Sequence, residues 1–120
     1  MSEKTKPAKP FLKWAGGKRR MAERILQIAP EEVPIYIEPF IGGGAIFFAL
    51  AAAGRLTGEV ILADRNDALV EAWQMVREAP HAVIRLAERW SYDEETYYRV
   101  RDQLAQDRRE LEAVPAAAGR

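Results

Sequence analysis

Glu38-Pro39-Phe40-Ile41-Gly42-Gly43-Gly44 separates two segments of opposite local character. Before it, Ile35-Tyr36-Ile37 is a β-branched and aromatic run bounded by Pro34 and Pro39, which reads as a short strand. After it, Ala45 to Ala53 is rich in Ala, Phe and Leu and reads as a helix, with Gly54 placed as its C-terminal cap. Glycines between a strand and a helix let the backbone approach a ligand closely. The helix that follows points its unpaired N–H groups at the same spot. In open α/β sheets, this C-terminal strand edge is where ligands bind.

Outward from that turn, Val60-Ile61-Leu62-Ala63 is a second strand without polar alternation, as expected of a parallel strand covered on both faces. Asp64 ends it, twenty residues beyond Gly44. Asn66 or Asp67 caps a helix that carries Leu69, Trp73 and Val76. Upstream, Met21, Ala22, Ile25, Ile28 and Ala29 recur at three- and four-residue steps, predicting an amphipathic helix from Lys18 to about Ala29 that Pro30 ends. Downstream, Pro80 starts a short helix to about Arg89. Ser91-x-x-Glu94 reads as a capping box for a last helix with Tyr97, Val100, Arg101 and Leu104 along one side. The order is helix, strand, Gly-rich turn, helix, strand, acidic turn, helix. That is the opening of a right-handed parallel β-α-β unit in an α/β fold.

Composition narrows the function classes. The chain has 120 residues, 48% hydrophobic and 30% charged, enough for one small domain with a core. The apolar stretch from Gly42 to Ala53 is too short to span a bilayer, and no secretory signal opens the sequence, so a cytoplasmic protein with no membrane partner is expected. With no cysteine and one histidine, His81, disulfide frameworks, thiolate zinc sites and multi-histidine metal sites are excluded, and no metal is expected. The net charge of zero conceals a split. Residues 1–29 hold eight Lys/Arg against two Glu, a net of +6, which fits a polyanion contact or a solubilising tail. Residues 1–10 read as a basic mobile arm, residues 11–112 as the folded part, and residues 113–120 as a flexible tail.

Two constellations carry chemistry. Asp64, at the end of the second strand, has the spacing to accept hydrogen bonds from both hydroxyls of an adenosine-type ribose, and the same spacing suits a tight turn with an ordinary capping Asp. A dinucleotide fold would place a third glycine where Phe47 stands, so the Gly42–Gly44 turn suits a nucleoside without a pyrophosphate and disfavours a nicotinamide-dependent oxidoreductase. Lys13-Trp14-Ala15-Gly16-Gly17-Lys18 is not a Walker A loop, because Arg19 follows Lys18 and Leu12 stands where a glycine is required. Trp14 and Lys18 flanking the Gly pair suit a loop over a nucleoside, with Lys18 reaching a carboxylate. They equally suit a core aromatic and a solvated first-turn lysine. Asp93-Glu94-Glu95 is the acidic start of a helix, Trp73 and Trp90 are core residues, and Arg19-Arg20 is as consistent with a solvated helix start as with a phosphate contact.

Phe11-Leu-Lys-Trp-Ala-Gly-Gly-Lys18, Tyr36-Ile-Glu-Pro-Phe-Ile-Gly-Gly-Gly-Ala-Ile-Phe-Phe48 and Leu62-Ala-Asp-Arg-Asn66 together resemble the N-terminal motifs of Dam-type (D12 class) DNA adenine-N6 methyltransferases. Tyr97-Tyr98-x-x-Arg101 is similar to the segment that follows in that family, so the resemblance runs from about Phe11 to Gln103. It implies a Rossmann-like methyltransferase fold and S-adenosylmethionine as cofactor. Trp14 and Lys18 would lie at the cofactor, Glu38, Pro39, Phe40, Gly42 and Gly44 in its Gly-rich loop, and Asp64 at its ribose. It also implies double-stranded DNA as the partner of the full enzyme, which transfers a methyl group to N6 of a flipped adenine.

The sequence departs from the family in one respect. No two of its seven prolines are adjacent, so it has no counterpart of the catalytic Asp-Pro-Pro-Tyr motif, and no catalytic residue is assigned. The chain is therefore expected to be the cofactor-binding N-terminal part of such an enzyme, truncated before later strands of the sheet and inactive alone. The alternative is a non-catalytic remnant or interaction module. Two strands with uncovered faces call for self-association or a complementing C-terminal chain.

Overall fold

A computed structural model describes residues 6–14 and 18–113, with side chains to residue 110. Met1–Thr5, the Ala15-Gly16-Gly17 part of the first constellation and all but the first residue of the expected tail lie outside the described residues. The chain divides after Gln74 into two compact units. No helix among the described residues is long and apolar enough to cross a membrane.

The first unit contains α1 (Arg19–Ile28), β1 (Val33–Glu38), α2 (Ala45–Ala52), β2 (Leu56–Leu62) and most of α3 (Asp67–Glu78). α1 packs against α2, and β1 and β2 form a two-stranded parallel sheet. Pairing runs from Val33 opposite Leu56 to Glu38 opposite Leu62, with an irregularity between Val33 and Ile35. There Pro34, which has no N–H to give the ladder, meets Gly58. A Cβ on Gly58 would collide with the Pro34 carbonyl, so the strands approach here only because residue 58 is glycine. β2 starts four residues earlier than its apolar run, because Leu56–Glu59 is recruited by pairing with β1.

Local chemistry ends the elements. Gly54, at φ +69°, follows α2, with the Gly54 and Arg55 amides donating to Ala51 and Leu50 carbonyls at 3.0 Å each, as expected of the cap. The Arg55 guanidinium donates to the carbonyls of Ala29 and Pro30 at 2.9 and 3.0 Å, tying the end of α1 to the start of β2. Asn66 rather than Asp67 caps α3, its Oδ1 accepting the Leu69 amide at 3.1 Å.

The core of the described residues is small: Ala22, Ile41, Leu50 and Leu69 are the buried apolar residues. The expectation that β2 is covered on both faces does not hold. Ile61 is 44% exposed, and Ile35 and Ile37 on the paired strand are 62% and 61% exposed. A two-stranded sheet has no further layer to lay over that side, so a strand composed for burial stays open.

The second unit contains the end of α3, α4 (Pro80–Ala87) and α5 (Glu94–Ala113). The cap of α5 is Asp93 rather than Ser91: its carboxylate accepts the Thr96 amide at 2.7 Å and the Thr96 hydroxyl at 3.0 Å. Asp outcompetes the Ser because the helix begins two residues later than the capping-box reading placed it. Trp90 is 54% exposed, so it is not the core residue expected.

Candidate functional site

The site is built where β1 and β2 end side by side. The parallel ladder continues past both strands: the Ala63 amide donates to the Glu38 carbonyl at 2.8 Å and the Ile41 amide to the Ala63 carbonyl at 2.9 Å. This carries residues 38–44 alongside residues 62–64. The chain then turns sharply, the Gly44 amide donating to the Ile41 carbonyl at 2.8 Å, and α2 begins at once. Gly42 and Gly44 adopt φ +52° and +81°, left-handed values that other residues rarely take.

Asp64 closes the turn. Its Oδ2 accepts the Gly42 amide at 3.1 Å and its Oδ1 accepts the Asn66 amide at 3.0 Å. The Asn66 and Gly42 N–H groups, with the Lys18 charge nearby, hold the Asp64 carboxyl below the usual carboxylate range. It is therefore ionised at neutral pH, an acceptor with free lone pairs at the C-terminal edge of the sheet.

Lys18 caps α1 and reaches back over the loop. Its Nζ donates to the Phe40 carbonyl at 2.8 Å and lies 3.7 Å from Glu38 Oε1. Glu38 is buried at 7% exposure, and the Tyr36 hydroxyl donates to its Oε2 at 2.6 Å. Burial, followed by this hydrogen bond and the Glu38 charge, pushes the Tyr36 phenol well above its ordinary pKa. A buried carboxylate with a donor on one oxygen and an ammonium beside the other is a satisfied group, so Glu38 anchors the loop.

Trp14 lies over the glycines: a Cβ on Gly42 would sit 3.2 Å from its ring, and one on Gly43 3.4 Å from its Cβ. A cleft of about 800 Å³ opens there, with Trp14, Lys18, Phe40, Gly42 and Asp64 in its lining. Five of the eight residues singled out in the sequence thus meet at one cavity. Glu38, Pro39 and Gly44 do not line it. Glu38 is buried behind it, and Gly44 is buried against Trp73. Phe47 does not line it either; its ring packs 5.1 Å from Phe48 and 6.0 Å from Trp73, so its bulk serves that aromatic cluster.

Sequence reasoning missed Tyr36, whose i, i+2 spacing from Glu38 puts both on one face of β1. It also assigned Trp73 only to the core. The Trp73 indole N–H donates to the Gly42 carbonyl at 3.0 Å, a contact across 31 residues that no local pattern announces. Among the described residues no group of His, Cys, Asp and Glu is arranged to hold a metal ion.

The chain matches known proteins over most of its length. Residues 14–117 match the model of the D12 class N6 adenine-specific DNA methyltransferases. The chain is 35% identical over 124 residues to a type II methyltransferase, M.MjaIII, of Methanocaldococcus jannaschii, covering 92% of this chain and 43% of that one. It is 35% identical over 105 residues to the DNA adenine methylase of Vibrio cholerae, covering 84% of this chain and 36% of the relative. With the DNA N-6-adenine-methyltransferase of Escherichia phage P1 it shares 39% identity over 106 residues, covering 82% of this chain and 13% of that protein. The chain thus spans less than half the length of each of these relatives. No solved structure matches it significantly. The motif order at the strand ends and the match across most of the chain lead to one conclusion: this chain belongs to the D12 class of N6 adenine-specific DNA methyltransferases.

Proposed function

We propose that this chain binds S-adenosylmethionine in the cleft between the Gly42–Gly44 turn and Trp14, as the cofactor-binding part of a DNA adenine-N6 methyltransferase. The observation that carries the reading is the meeting of Trp14, Lys18, Phe40, Gly42 and Asp64 at one cavity. The donor set fits the cofactor. Asp64 supplies an ionised acceptor for ribose hydroxyls, and the exposed rings of Trp14 and Phe40 supply apolar surface for a nucleoside base. Lys18, already fixed by the Phe40 carbonyl, keeps ammonium donors for the carboxylate of the methionine portion. When bound, S-adenosylmethionine supplies an electrophilic methyl group on sulfur. The residues of this chain hold and orient it and carry no proton in the transfer.

In this reading β1, α2 and β2 open a Rossmann-like sheet, residues 11–112 form the cofactor-binding part, residues 1–10 are a basic arm and residues 113–120 a tail. The +6 segment at residues 1–29 favours approach to DNA. The bare isoleucine face of the sheet favours a second copy or a complementing chain. Absence of an Asp-Pro-Pro-Tyr motif makes the 120-residue chain inactive by itself in this account.

Titration of the chain with S-adenosylmethionine and with NAD, followed by tryptophan fluorescence and checked by calorimetry, tests the assignment. Saturable binding of S-adenosylmethionine is expected. A response to NAD alone refutes it, and labelled methyl transfer to adenine-containing DNA by the pure chain refutes the inactivity.

A further inference from the structure

Trp73 touches the Gly42–Gly44 turn in two ways. Its indole Nε1–H donates to the Gly42 carbonyl at 3.0 Å. Its ring occupies the space beside Gly44, where a Cβ would lie 2.6 Å from two ring carbons. The ring is itself held, stacked on Phe48 at 5.5 Å and 20° and met edge-on by Phe11 at 5.0 Å. A tryptophan that served only to fill the core would need apolar neighbours and any acceptor for its N–H. Here the acceptor belongs to Gly42, whose own amide donates to Asp64 Oδ2.

That coincidence has a geometric consequence. The amide of a residue moves with φ and its carbonyl with ψ. Asp64 holds the Gly42 amide and Trp73 holds the Gly42 carbonyl, so both dihedrals of a glycine with many accessible conformations are fixed. Freeing the carbonyl removes one of these two anchors and leaves the bond to Asp64 to hold the turn alone.

We infer that Trp73 is a positioning residue for the cleft: its indole N–H and ring fix the Gly42–Gly44 turn so that the Gly42 amide is aimed at Asp64. Its consequence for ligand binding rests on the S-adenosylmethionine reading above, while its effect on the turn does not. Trp73 acts through the turn.

The test uses the full 120-residue chain and Trp73→Phe, which keeps a ring and removes the donor. Losing one neutral hydrogen bond corresponds to about a fivefold change in an equilibrium constant. In Trp73→Phe, NMR should show Gly42 amide exchange about fivefold faster, while the Arg55 amide, bonded to Leu50 elsewhere in the unit, is unchanged. The Asp64 carboxyl should titrate closer to its ordinary range, and S-adenosylmethionine should bind about fivefold more weakly. Unchanged Gly42 exchange and Asp64 titration overturn the inference, as does equal acceleration at Gly42 and Arg55, which marks a general loss of structure. Failure of the wild-type chain to bind S-adenosylmethionine defeats the cofactor reading and leaves the Gly42 and Asp64 readouts to decide the role of Trp73. Where Trp73→Phe does not fold, the wild-type indole decides. Equal protection of the Gly42 amide and the Trp73 Hε1, as groups released together, supports the inference, and a Gly42 amide protected about tenfold less than the Hε1 refutes it.

Discussion

Replacing Gly44 by alanine attacks the turn at its most crowded point. Two effects add. Gly44 sits at φ +81°, a left-handed conformation that costs a side-chain-bearing residue about 1–2 kcal/mol. The new methyl would also lie 2.6 Å from two carbons of the Trp73 ring and 3.1 Å from the Phe48 ring, well inside ordinary carbon–carbon contact. Trp73 cannot swing away without breaking its bond to the Gly42 carbonyl, and Phe48 stacks against it, so the overlap adds about 1–3 kcal/mol. The expected loss is about 2–5 kcal/mol, a large share of the roughly 5–15 kcal/mol that holds an ordinary domain together. Gly54→Ala is the matched control. Its φ is +69°, but nothing lies within 4 Å of the added carbon, so only the backbone term of about 1–2 kcal/mol remains. Urea unfolding of the two variants and the wild type, followed by far-UV circular dichroism and tryptophan fluorescence, measures both. Equal losses in Gly44→Ala and Gly54→Ala would refute the claim that the Trp73 ring is locked against the turn.

Tyr36→Phe removes the donor to the buried Glu38 Oε2 and should destabilise the fold by about 1–3 kcal/mol at neutral pH, measured by urea unfolding. Because the Tyr36 phenol is raised in the folded state, its contribution is complete below about pH 10 and is lost as pH rises toward the folded value. The wild-type chain should therefore weaken in alkali more steeply than Tyr36→Phe, and parallel profiles would contradict this. Asp93→Ala should lower stability by about 1 kcal/mol through loss of the α5 cap, whereas Ser91→Ala should change it little, which a melting comparison resolves. The exposed Ile35, Ile37 and Ile61 should drive self-association that Ile37→Lys reduces; a concentration-independent monomer transition in ultracentrifugation and calorimetry would count against it.

The elements that the sequence displays most clearly are those whose cause is local. The three- and four-residue spacing of Met21, Ala22, Ile25 and Ile28 places α1, and Gly54 marks the end of α2 because a left-handed cap needs a glycine. The start of β2 is not legible, since Thr57-Gly58-Glu59 becomes strand only by pairing across Pro34. Ser91 and Asp93 both offer a capping oxygen, and only the position of the first helical turn chooses between them. At the site, Asp64 and the glycines are legible because backbone constraints and strand ends leave marks in the chain. The hold of Trp73 on Gly42 leaves none, because 31 residues separate the partners and a tryptophan on an apolar helix face reads as core. The bare face of β1 and β2 reads as buried because composition reports what a strand is suited to, whereas exposure depends on what lies above it.

In the proposed complex Asp64 receives the ribose of S-adenosylmethionine. Calorimetric titration of the wild-type chain and Asp64→Ala with S-adenosylmethionine and its 2′,3′-dideoxy analogue tests it most directly. A hydrogen bond to a charged acceptor contributes about 1.5–3 kcal/mol, so removing the hydroxyls should weaken wild-type binding by roughly 10- to 100-fold. In Asp64→Ala, where no carboxylate remains to be left unpaired, the two ligands should bind alike. Equal affinity of the wild-type chain for both ligands would contradict the account.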